Sequence, residues 1–285
     1  MKLTGEIIGL IEGIWTEEQF TKALERANLA LESTKLVTTS AKIDKGNTAE
    51  SEYFYGAVFL PPSDSSGKNI CTWATPGCRL VCLGIGSGRM NFGKDILKSR
   101  EFDWSKTDTA KAQKKRLDLF FNNRNAYRAQ LFLESYQLVV KARKLGKRAA
   151  IRLNATSDLL WEKLFPELFA AFPMVAWYDY TKAPINRRDT SIPNYHLTYS
   201  YADGEANHNA AIGWLESGAN VAMVFDTRRH DPLPTTHTIN GISYTVIDGD
   251  IDDRRYLDPK GVIVGLRAKG AAIHDTSGFV IRLAA

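Results

Sequence analysis

The chain has 285 residues, 44% hydrophobic and 24% charged, a balance that marks a folded globular protein and excludes a disordered one. No window approaches about 18 consecutive apolar residues, so no membrane span is expected. Acids inside the first apolar run, with no small-residue cleavage site, argue against a signal peptide. The net charge of +5 favours an anionic partner such as a nucleotide or nucleic acid, or is simply that of a solvated basic surface.

In chain order, Thr16 to Ser33 reads as an amphipathic helix opened by a capping box, Thr16 with Glu18 and Gln19. Residues 1–50 are expected as a helical extension and 51–285 as the main domain. Glu52 to Leu60 is aromatic and β-branched and stops at Pro61-Pro62, which predicts a buried strand. Ser63 to Phe92 is a long Gly- and Ser-rich loop, and a structureless stretch of that length inside a compact domain is usually functional. Thr109 to Leu145 carries the longest helical pattern, closed by Gly146.

A regular rhythm then begins. Strands are expected at Arg148–Leu153, Val175–Thr181, Tyr195–Ser200, Asn220–Asp226, Gly241–Ile247 and Gly261–Arg267, with helices over Asp158–Phe172 and Glu205–Ser217. Apolar strands alternating with helices imply a mostly parallel sheet with right-handed crossovers. Six or more in one chain predict an α/β fold that is a full or partial (βα) barrel, TIM-barrel-like. Polar residues follow nearly every strand: Ser157 and Asp158, Asp179 and Lys182, Ser200, Asp226, Asp248 and Asp250. One such acid is an ordinary helix cap. Strand ends that do this together point to a shared mouth.

The three cysteines lie within residues 71–82 as Cys71, Cys78 and Cys82, spaced C-x6-C-x3-C. An odd, clustered set is no secreted disulfide framework and fits a reducing, cytoplasmic setting. Thiolates ligate zinc or an iron–sulfur cluster, and a cluster held by three of them leaves one iron open. The other reading is three inert buried thiols. Gly84, Gly86 and Gly88 follow, and such glycines let backbone N–H groups approach a ligand. Arg228, Arg229, Arg254, Arg255, Arg267 and Lys269 add positive charge toward the C-terminal side.

Three cysteines in the loop after the first barrel strand resemble the iron–sulfur loop of radical S-adenosylmethionine enzymes, although the usual spacing there is C-x3-C-x2-C. The pattern N-x-C-x-x-A-T-x-x-C-x-x-x-C-L is closer to gene-product-88-like proteins of phages and plasmids. Thr156-Ser157-Asp158 with Glu162, then Tyr180-Thr181-Lys182, then Asn194 before the strand ending in Ser200, is similar in order to the spore-photoproduct-lyase-like branch. The resemblance covers roughly Tyr53 to Ser200 and implies a [4Fe–4S] cluster on Cys71, Cys78 and Cys82. It implies S-adenosylmethionine held by Ser157 and Lys182, with Ser200, Gly86 and Gly88 as further cofactor contacts. Asp158, Asp179 and Asp226 would be the catalytic acids facing a nucleotide or a nucleic-acid base, DNA being favoured over RNA.

Two other functions fit parts of the chain. The run Gly218 to Arg228 loosely resembles the nucleophile strand of guanine transglycosylases, a transferase in which Asp226 would attack, Asp158 or Asp179 would hold the base and the cysteines would bind structural zinc. A non-catalytic nucleic-acid-binding protein would use Trp177-Tyr178 and Tyr199 to Tyr201 as stacking platforms.

Overall fold

The computed structural model describes residues 3–86, 92 and 96–283. Its strands are β1 Val37–Thr38, β2 Tyr53–Val58, β3 Arg148–Arg152, β4 Val175–Thr181, β5 Tyr195–Ser200, β6 Asn220–Phe225, β7 Thr236–Ile239, β8 Ile242–Asp248, β9 Ile263–Arg267 and β10 Val280–Ile281. They form one ten-stranded sheet in the order β1-β2-β3-β4-β5-β6-β9-β8-β7, with β10 paired to β6. From β2 to β8 along that order every pairing is parallel. The chain is therefore mixed α/β with a mostly parallel sheet.

The sheet is open, so a closed TIM-like barrel does not form. Closure needs parallel pairing between the first and last strands. Here β1 pairs antiparallel with β2 at one edge, and the hairpin β7–β8 turns antiparallel at the other.

Along β2 to β4 the side chains alternate between two apolar layers, as the period of two demands. Ile151 and Trp177 enter the large helix-covered core. Tyr53, Tyr55, Ala57, Ala150 and Tyr178 form a separate cluster on the opposite face. The helix Arg124–Lys144 lies across β2 and β3. It comes so near that a Cβ at Gly56 would sit 2.5 Å from Leu138 Cδ1 and Val37 Cγ1, a distance only glycine allows.

The capping box forms as expected: Thr16 Oγ1 accepts from Gln19 N at 3.2 Å, and Gln19 Oε1 from Thr16 N at 2.9 Å. The helix it opens, Glu17–Leu31, buries Phe20, Ala23, Leu24, Ala27 and Leu31 in the same core as Phe120 and Phe132. The N-terminal residues thus share the main core and supply β1 to its sheet.

Two expected helices are broken. The pattern from Thr109 to Leu145 divides into Asp108–Asn122 and Arg124–Lys144, because Asn123 takes an extended backbone and caps the second helix through Oδ1 to Ala126 N at 3.0 Å. Asp158 to Phe172 becomes Trp161–Leu164 and Pro166–Ala171, since Pro166 has no N–H to continue the first helix. No helix among the described residues is long and apolar enough to cross a membrane.

Candidate functional site

A cavity of about 620 Å³ opens at the carboxyl ends of β3, β4, β5 and β9. One wall is built by the loop after β2. That loop is not structureless: it holds the short helical turns Pro76–Leu80 and Leu83–Gly86. Thr75 caps the first, its Oγ1 accepting from Cys78 N at 3.1 Å. The same hydroxyl donates to Asp203 Oδ1, and Gly77 N donates to Asp203 Oδ2 at 3.1 Å. A Cβ on Gly77 would overlap Ser277 Oγ and the Asp203 carboxylate. The tether to the loop after β5 thus requires glycine at this place.

Cys71, Cys78 and Cys82 all line the cavity. Ser63 N donates to Cys71 Sγ at 3.1 Å. Burial raises the pKa of Cys71, and the charges of Asp158, Cys82 and Cys78 push the same way. Cys82 is raised to about 11, by burial first and then by Cys78. Burial thus favours the protonated thiol at Cys71 and Cys82. Among the described residues no three His, Cys, Asp or Glu side chains gather around one point as they would for a metal ion. None of the five histidines lines the cavity.

A second wall is made by strand ends. Ser157, Asp158, Lys182 and Ser200 face the same space as the cysteines. Lys182 Nζ donates to Ser200 Oγ at 2.7 Å and Ser200 O at 2.9 Å, and stands 5.3 Å from the Phe279 ring centre. Asp158 Oδ1 accepts from Thr181 Oγ1, and its Oδ2 from Lys182 N, both at 2.8 Å. Burial raises the pKa of Asp158 while Arg188, 3.6 Å away, opposes the rise. Both oxygens are engaged, so this carboxylate shapes the Thr181–Lys182 turn rather than facing a ligand as an open acid.

Two of the acids expected at the mouth lie elsewhere. Asp179 is fully buried on the helix side of β4, where it accepts from Asn154 N at 2.5 Å and Tyr195 Oη at 2.7 Å. Burial lifts its pKa to about 7 against those hydrogen bonds. Asp226 is outside the cavity lining: its Oδ1 accepts from Leu283 N at 3.1 Å, and Arg282 stands 3.7 Å from Oδ2. It ends the β6–β10 ladder. Gly84 lines the cavity, Gly86 packs against Leu97, and Gly88 lies outside the described residues.

Several groups at or behind the site carried no clear signal. Arg152 and Tyr180 are cavity-lining, and Arg152 pairs with Asp253 at 2.9 Å. Behind the wall, the fully buried Arg188 bonds Glu162 at 2.9 Å, Tyr195 Oη at 2.8 Å and Thr181 Oγ1 at 3.2 Å. A charged residue beside an otherwise apolar strand, as in Arg148-Ala-Ala-Ile-Arg152, was the available cue. The basic face expected toward the C-terminal side is largely neutralised. Arg254 and Arg255 pair with Asp252, and Arg267 and Lys269 with Asp250. Trp177, Tyr178 and Tyr199 are core residues, which removes them as stacking platforms.

Fold and site together define a mixed α/β protein whose parallel strands end in a cavity walled on one side by three cysteines. The family model described as Gene product 88 matches residues 27–283, and the chain belongs to that family. No curated protein and no solved structure matches it.

Proposed function

We propose that the chain is an iron–sulfur enzyme of the radical S-adenosylmethionine type, encoded by a phage or plasmid and acting in the host cytoplasm on a nucleotide or nucleic-acid base. The observation that carries this reading is that Cys71, Cys78 and Cys82 line one cavity with Lys182, Ser157 and Ser200. A [4Fe–4S] cluster takes one thiolate per iron. Three thiols on one wall of a shared cavity are the donor set the loop would offer it. Five parallel strands, β2 to β6, laid down in chain order support a partial barrel, the architecture this chemistry implies.

When bound, the cluster and S-adenosylmethionine would supply one-electron reduction and hydrogen-atom abstraction. The chain's own residues do the rest. Arg79 and Arg100 pair with Asp64, Arg152 with Asp253, and Arg267 and Lys269 with Asp250. Lys182 is the described cavity cation that bonds only neutral oxygens, those of Ser200 and Tyr201. It is therefore the natural receptor for a ligand carboxylate. Ser157, tied to Asn154 Oδ1 at 2.8 Å, and Ser200 offer hydroxyls beside it. Asp158 holds the Lys182 turn, while Phe279 and Leu83 add apolar surface to the cavity lining.

Anaerobic reconstitution with iron and sulfide tests the reading. The wild type should bind iron and sulfide and absorb in the visible, and Cys71→Ala, Cys78→Ala and Cys82→Ala should each lose that absorption. Iron retained by all three variants, or none taken up by the wild type, sinks the proposal. The transglycosylase alternative gains nothing from the position of Asp226, which the C-terminal segment occupies.

A further inference from the structure

The cysteine wall carries a positive charge that neither the cysteines nor Lys182 explain. Arg79 follows Cys78 in its short helical turn, and Arg100 follows the turn Ile96–Ser99. Both line the cavity, and both pair with one carboxylate, that of Asp64. Arg79 Nη1 donates to Asp64 Oδ2 at 2.9 Å, and Arg100 Nη2 donates to Oδ1. Two guanidiniums thus share one acid, and the trio keeps a net positive charge. The other arginines of the described lining have acids of their own, Arg152 with Asp253 and Arg267 with Asp248 and Asp250.

The trio is braced more firmly than an ordinary surface pair. Asp64 Oδ1 also accepts from Ser63 Oγ at 3.2 Å. The next residue, Ser65, is held twice: its Oγ donates to Pro62 O at 2.6 Å, and its carbonyl accepts from Trp104 Nε1 at 2.9 Å. Trp104 and Phe102 belong to one apolar cluster, and the Arg100 guanidinium lies 5.2 Å from the Phe102 ring centre. A guanidinium set over a ring and tied at one nitrogen has lost much of its freedom before a ligand arrives. Each arginine spends a single nitrogen on Asp64, which leaves further N–H donors on both. About a third of each side chain is accessible, 32% for Arg79 and 31% for Arg100.

Two fixed guanidiniums with donors to spare and one charge in excess suit a phosphate, whose oxygens can take a fork from each. We infer that Arg79 and Arg100, spaced by Asp64, form a phosphate subsite on the cysteine side of the cavity and hold the phosphate of a nucleotide substrate. The inference deepens the proposed function and rests on it for naming the carrier of the phosphate as a nucleotide. Lys182 remains the carboxylate receptor.

Calorimetric titration of the full chain with adenosine, guanosine, cytidine and thymidine, and with their monophosphates, tests this. At least one monophosphate should bind about tenfold tighter than its nucleoside, the gain from a charge-assisted contact. Arg79→Ala and Arg100→Ala should each weaken it about tenfold, while iron uptake and S-adenosylmethionine binding stay as in the wild type. Arg229→Ala, which removes an exposed arginine outside the lining, should change nothing. Short single strands with and without a terminal phosphate identify the carrier. Tighter binding of the phosphorylated strand than of the monophosphate assigns the subsite to a strand end, and the opposite order to a free nucleotide. Monophosphates that bind no tighter than nucleosides, or equally well to both arginine variants, overturn the subsite. An equal loss in Arg229→Ala also overturns it, because binding then follows overall charge. Loss of iron uptake in the arginine variants, or S-adenosylmethionine weakened as much as the monophosphate, assigns both arginines to the cluster or cofactor and overturns it too. A monophosphate preference in a protein that takes up no iron keeps the subsite and sinks the iron–sulfur reading. Iron uptake without that preference does the reverse.

Discussion

The two walls of the cavity are built on different principles. The strand-end wall hangs from sheet register: parallel pairing places Ser157, Lys182 and Ser200 at neighbouring strand ends, and a buried network behind them locks the turn. The cysteine wall hangs from side chains. Its short helical turns are too brief to be stable alone and are held by Thr75, Asp203, Asp64 and the close approach at Gly77. Damage to the first wall should therefore weaken the whole fold. Damage to the second should loosen only the loop.

The largest expected effect is on the strand-end side. Arg188→Met strands Glu162, whose side chain is as inaccessible as that of Arg188. Removing one partner of a buried ion pair costs about 3–5 kcal/mol, and urea unfolding should show a loss of that size. A loss below about 1 kcal/mol, the scale of an exposed pair, would erase the distinction between the walls.

Next comes Asp203→Ala, which takes both anchors from the cysteine turn. It should cost about 1–3 kcal/mol through the unpaired partners and make Cys78 react faster with Ellman's reagent. Unchanged thiol kinetics would mean that the loop does not depend on Asp203.

The third is a pH effect confined to the strand-end side. Burial raises the folded pKa of Asp179 to about 7 from the ordinary carboxylate value of 3.8. A raised carboxylate favours the folded state while protonated. Its contribution is complete below the unfolded value and is lost as pH climbs to about 7. Relative to Asp179→Asn, wild-type stability should fall across that window and level off above it. A flat difference between the two proteins would mean that the Asn154 and Tyr195 hydrogen bonds already hold Asp179 ionised.

The smallest effect is Arg79→Ala. Its pair with Asp64 is partly exposed, with 32% and 42% of the side chains accessible. Such pairs are worth about 1 kcal/mol or less, and the urea midpoint should barely move.

Strands β2 to β6, β8 and β9 were legible because each is a short β-branched or apolar run closed by polar or turn residues. β1, β7 and β10 were not, being two to four residues long with no pattern of their own. The same physics divides the site residues. Ser157, Lys182 and Ser200 sit where parallel strands stop, which sequence order reveals. Asp179 lies one residue inside alternation: it shares the helix-side face with Trp177, while Tyr178 points to the other layer. Counting residues to a strand end does not say which face an acid takes unless the register is known. Asp226 was misplaced for a long-range reason, since β10 returns from the far end of the chain to pair with Val224 and Phe225 and takes up its carboxylate. The cysteine turn's dependence on Asp203 has the same character, a contact across 126 residues.

β10 joins β6 through only two residue pairs, just past the point where β5 has stopped. Phe279, the residue before it, lies against the Lys182 ammonium. Segments held by so few bonds exchange at a small fraction of the global unfolding free energy. This strip is therefore where the cavity wall should open first, and amide exchange at Ile281 should run ahead of exchange within β6.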